Sequence, residues 1–150
     1  MSNHCYLQMN TDEYIGVHMR VQRGIQDAAK VGQIVDYAGM LYGSCSPTDI
    51  DLSLDFGCNV FIFVEFKYKG YGLTTGQKIH LMGMVNAIEA GGKEAYAILA
   101  HHNGEPEIAA ADSKVAMVYS SGSWVVLEDA TLHDLVSEIH SSYKLKRAKV

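Results

Sequence analysis

The segment VFIFVEFK, Val60 to Lys67, constrains this chain more than any other part of it. Its β-branched and aromatic residues follow turn-forming Gly57, Cys58 and Asn59, and they suit a strand in the interior of a sheet. A helical pattern comes next. Thr74 or Thr75 stands at its cap position, Gln77, Leu81, Met82, Val85 and Ile88 follow, and Gly91-Gly92 closes it. AYAILA, Ala95 to Ala100, is again a strand. A strand, a helix and a second apolar strand form a crossover unit, which winds right-handed and sets its strands parallel in one sheet. The expected class is therefore α/β, with a central mixed β-sheet flanked by helices.

Ahead of this unit, Ile50, Leu52 and Leu54 alternate with Asp49, Asp51, Ser53 and Asp55, the period of a half-buried strand. Further upstream, Thr11 with Asp12 and Glu13 behind it opens a helix to about Lys30, and Gln33 to Tyr42 is strand-like. Downstream, Lys114 to Tyr119 and Trp124 to Glu128 flank a turn at Ser121-Gly122. A last helix runs from about Thr131 to Tyr143, and a basic tail, 144–150, ends the chain. With no internal repeat or linker, 1–150 reads as a single domain, its C-terminal hairpin and helix at about 114–143.

Composition narrows the class further. With 48% hydrophobic residues among 150, and two prolines, the chain has enough apolar material for a sizeable core. No apolar run approaches the roughly 18 residues of a membrane span. Met1 to Gln8 lacks a basic start and an apolar stretch, so an intracellular, cytoplasmic protein with no membrane association is expected. Cys5, Cys45 and Cys58 have no CxxC spacing and are expected as reduced thiols. A formal charge of -5 argues against a highly basic nucleic-acid coat protein and leaves room for a local basic face.

Counting across the hairpin locates the chemistry. Centred near residue 58, the turn sets Asp51 opposite Glu65 and Asp49 near Lys67. Asp51, Glu65 and Lys67 then project on one face, and Ile50, Leu52, Val64 and Phe66 on the other. Two carboxylates a strand apart can share a hard divalent cation, with the Phe66 carbonyl and water completing the oxygen set that magnesium prefers. A neighbouring lysine can orient or deprotonate a water and stabilise negative charge on a phosphoryl oxygen.

Ile50 to Leu52, IDL, and Val64 to Lys67, VEFK, together resemble the split signature of PD-(D/E)XK nucleases. The stretch from Leu73 to Leu99 is similar to the segment after the signature lysine in the virus-type replication-repair and Holliday-junction resolvase branches, where a helix carries a glutamine near its start. Gln77 and Gly91-Gly92 match that layout. The resemblance covers about 49–100 and implies a restriction-endonuclease-like core. It also implies a magnesium-dependent DNA endonuclease of replication, recombination or repair, with manganese substituting, a phage or mobile-element origin, branched DNA as substrate and a homodimeric state. Asp51 and Glu65, with the Phe66 carbonyl, would hold the metal. Lys67 would act on water or the transition state, Gln77 would orient the site, and Lys69 and Lys78 would meet DNA. Ile50 stands where the signature often has proline, and Glu13 is the candidate for a first-helix glutamate.

Plainer readings stand beside these. Asp49, Asp51 and Asp55 would also suit the solvent face of an edge strand, although Phe61 and Phe63 share the face of Glu65 and argue for a partner or metal there. Lys67 would serve merely as the surface ion-pair partner of Glu65 or Asp49, and Gln77 as a first-turn helix residue. His101-His102-Asn103 reads as the polar end of a strand, since a zinc site needs further ligands. Gly70 to Gly76 lacks a phosphate-loop fingerprint, and Ser120 to Ser123 lacks the context of a serine nucleophile. The alternative function is a catalytically silent nuclease-like domain that binds nucleic acid or a protein.

Overall fold

A computed structural model of the chain describes residues 47–104 and 108–148. The expected helix from Thr11, the strand-like stretch to Tyr42, Glu13 and the last two residues of the tail lie outside the described residues. The chain divides into two units, Met1–Pro47 and Thr48–Val150, and every element below belongs to the second.

Five strands and two longer helices follow in order: β1 (Leu52–Phe56), β2 (Val60–Tyr68), α1 (Thr75–Ala90), β3 (Glu94–His102), β4 (Lys114–Ser120), β5 (Ser123–Val126) and α2 (Leu132–Arg147), with a 3-10 turn at Ala110–Asp112. The strands form one mixed sheet in the order β1-β2-β3-β4-β5, so each strand neighbours the next in sequence. β2 and β3 are parallel and joined through α1, and the other pairs are antiparallel. This is the expected α/β class with its crossover helix.

The β1–β2 register is the counted one. Leu52 faces Val64 and Phe56 faces Val60, and continuing the same step outward sets Asp51 against Glu65. The hairpin closes through Gly57 and Cys58, both at positive φ. Gly57 meets a second demand, because a Cβ there would sit 2.7 Å from the Tyr143 hydroxyl. Cys58 is disulfide-bonded, which corrects the expectation of a reduced thiol at that position.

Both sheet faces are covered, and that explains why VFIFVEFK is apolar without interruption until Glu65. Val60, Ile62 and Val64 join Ile98, Ala100 and Val115 beneath Leu132 and Ile139 of α2. Phe63 joins Ala95, Ala97 and Tyr119 beneath Leu81 and Val85 of α1. β2 is paired on both sides as expected. Ile50 departs from the expected face. It packs with the α1-side cluster, because the chain bends at Asp51 and β1 begins only at Leu52, so the period-two rule does not reach back to residue 50. The tail expectation also changes: α2 continues through Arg147, and Lys144 and Lys146 stand on helix rather than on a loose terminus.

Candidate active site

Glu65 is the one charged residue among the described residues that is buried, at 4% exposure. Alternation forces this position. Val60, Ile62 and Val64 must face α2 to fill that core, so Phe61, Phe63, Glu65 and Lys67 face α1. A carboxylate taken out of water needs charged or hydrogen-bonded partners, and two converge on a single oxygen. Lys67 Nζ lies 2.7 Å from Glu65 Oε1, and Gln77 Nε2 donates to the same Oε1 at 2.5 Å. The Lys67 side chain keeps about a quarter of its surface in solvent, 27%.

Gln77 reaches Glu65 because the first turn of α1 holds it. Thr74 caps the helix: its hydroxyl accepts the Gln77 N–H at 3.2 Å, and Gln77 Oε1 accepts the Thr74 N–H at 3.1 Å. This reciprocal capping box satisfies two helix-end N–H groups and uses the amide oxygen. The amide nitrogen is left pointing at Glu65. The helix cap and Glu65 are thus engaged by opposite ends of one side chain.

Asp51 sits at the other edge of β2. It is exposed and lies in the bend before β1, where its Oδ2 accepts the N–H of Phe66 at 2.7 Å. The carboxylate takes over where the β1–β2 ladder stops. Phe66 turns its ring toward the α2-side core. Asp49 is exposed and outside the ladder, so the expected pairing with Lys67 is not formed.

Each carboxylate therefore has one oxygen engaged and one without a hydrogen-bond partner among the described residues, Asp51 Oδ1 and Glu65 Oε2. Two carboxylate oxygens on adjoining segments are hard donors of the kind magnesium takes. No group of three or more His, Cys, Asp or Glu gathers among the described residues. Magnesium retains several waters and commonly uses one or two carboxylates, so this donor set fits it and does not suit a structural zinc site.

Lys69 is exposed just past the end of β2, and Lys78 is half-buried on α1 beside Gln77. His101 was expected only as the polar end of a strand. It stands beside Lys67 in the parallel register, and Lys114 stands beside His101 in the next. Only the offset between β2 and β3 could have revealed that row, and α1 sets that offset through its packing. No helix among the described residues is long and apolar enough to cross a membrane. Comparison of the chain with protein-family models, with curated proteins and with solved structures found no match.

Proposed function

We propose that this chain is a magnesium-dependent endodeoxyribonuclease, acting in DNA replication, recombination or repair. The observation that carries the proposal is the convergence of Lys67 and Gln77 on one oxygen of buried Glu65, with Asp51 fixed across the adjoining strand edge. A purely structural carboxylate at 4% exposure is costly compared with an apolar residue of similar volume. Bound magnesium would supply Lewis-acid polarisation of a phosphoryl oxygen and a more acidic water.

The chain's own groups would divide the remaining work. Asp51 Oδ1 and Glu65 Oε2 would hold the cation, with the Phe66 carbonyl as a further oxygen. Lys67, anchored by Glu65 and open to solvent on one side, orients the attacking water and offsets negative charge as a phosphorus–oxygen bond forms to water and the bond to the leaving oxygen breaks. Gln77 is a positioning residue, fixing which Glu65 oxygen is engaged. Lys69 and Lys78 meet backbone phosphates. Concerted cutting of both strands of a branch needs two sites, which a symmetric homodimer supplies.

One observation favours a second reading. The Lys67–Glu65 pair is already complete at 2.7 Å, as a silent nuclease-like domain that only binds nucleic acid or a protein would also have it. Calorimetric titration with manganese separates the two. The nuclease reading expects saturable binding that Glu65→Gln and Asp51→Asn each weaken by at least tenfold, together with cleavage of branched or duplex DNA in magnesium. Absence of binding and cleavage in the unmodified chain would leave the silent domain.

A further inference from the structure

We infer that the carboxyl ends of β2 and β3 form a seat for an unpaired nucleic-acid strand, with bases stacked on Tyr68 and Tyr71 and phosphates held by a row of basic groups. This deepens the proposed function by naming its substrate as single-stranded or locally unpaired, and it rests on that reading only for the nucleic acid as ligand.

The aromatic part is built by a turn. Tyr68 O accepts the Tyr71 N–H at 3.0 Å, and Gly70 within the turn has φ +94, a left-handed value suited to glycine. The turn leaves two large rings at its ends, 52% and 64% exposed, with centroids 6.1 Å apart. Tyr68 is not loose. Its ring lies edge-on to His102, and it occupies the space where a Cβ on Gly104 would come within 2.8 Å. His101 Nε2 donates to Tyr71 O at 2.9 Å, which ties the far end of the turn to β3.

The basic part follows from register. Lys67, His101 and Lys114 are successive neighbours across β2, β3 and β4, a row spanning about 10 Å at the usual strand spacing. Lys69 continues past β2, its N–H bonded to His102 O at 2.9 Å. A cavity of about 460 Å³ opens here, lined by Lys69, His101, His102 and Lys114, with Asp112 the one acidic residue among its described lining. Exposed aromatic faces interleaved with cations are what a splayed strand needs, whereas a paired duplex hides its base faces. The row begins at Lys67, so a strand lying along it reaches the proposed catalytic carboxylates.

The test is fluorescence anisotropy with the whole chain in EDTA, using labelled oligothymidylate of about 12 residues, the matching duplex and oligouridylate. Oligothymidylate should bind more tightly than the duplex, and Tyr71→Ala and Tyr68→Ala should each weaken it about tenfold while the phenylalanine variants retain it. Lys69→Ala and Lys114→Ala should each flatten the salt slope by about 0.7. Oligouridylate bound as tightly would extend the seat to RNA, because stacking and phosphate contacts alone do not read the sugar. Equal affinity for duplex, or unchanged affinity in Tyr71→Ala and in a folded Tyr68→Ala, would overturn the inference. EDTA keeps this outcome separate from cleavage: strand binding without cleavage in magnesium would remove the nuclease reading, and duplex cleavage without strand preference would remove this one.

Discussion

Glu65 combines two demands that usually conflict, burial and charge. Its cost is offset by Lys67 and Gln77, so losing a partner and losing the carboxylate charge itself should differ. Lys67→Ala leaves a carboxylate at 4% exposure with one donor, and should lower stability by about 1–3 kcal/mol in urea unfolding. Glu65→Gln keeps the volume and removes the charge, and should leave a cooperative transition. In the nuclease reading both variants abolish cleavage, as does Asp51→Asn, while Asp49→Asn is milder because Asp49 lies outside the ladder. Cleavage lost with Asp49→Asn and kept with Asp51→Asn would reject the assignment of Asp51.

At the scale of the element, both longer helices start on a threonine cap, yet the two caps do different work. Thr74 holds the side chain that reaches Glu65, so Thr74→Ala should lower stability by about 1 kcal/mol and slow cleavage without altering a carboxylate. A matching thermal shift with unchanged cleavage would show that Gln77 keeps its place unaided. Thr131 caps α2 and donates its hydroxyl to Asp134 at 2.6 Å, and that hydrogen bond holds the Asp134 carboxyl below its ordinary pKa. A lowered folded value means that the contribution is present above the ordinary aspartate range and lost as pH falls through the lowered one. Thr131→Ala should therefore flatten the acid limb of the stability curve, followed by circular dichroism. A limb identical to that of the unmodified chain would place this contribution elsewhere.

For the molecule as a whole, α1 and α2 pack on opposite faces of the sheet, and among the described residues Tyr68 and Tyr71 stand exposed at the carboxyl end of β2, the end at which open α/β sheets commonly bind ligands. The basic end of α2 is partly committed elsewhere, since Lys146 Nζ lies 2.6 Å from Glu94 Oε1 at the opposite, amino end of β3. Removing residues 144–150 would cut the last turn of α2 as well as basic charge, so single substitutions test phosphate contact more cleanly than truncation. The homodimer expected of a two-site enzyme is checked by light scattering at assay concentration. A mass of one chain there would limit each encounter to one cut.

Local pattern was enough for the α/β class, the caps, the crossover and the β1–β2 pairing, because each depends on neighbours a few residues apart or on a turn whose length sets the register. It also brought Glu65 and Lys67 into one hypothesis, to which the family resemblance added Gln77. Tertiary structure alone decided that Gln77 serves the helix cap and Glu65 with opposite ends of its amide, and that the bend at Asp51 turns Ile50 toward α1. It also decided that His101 stands between Lys67 and Lys114. These features depend on how α1 slides along the sheet and where the ladder ends. Side-chain packing summed over both faces sets those offsets, and no single stretch of the chain contains that sum.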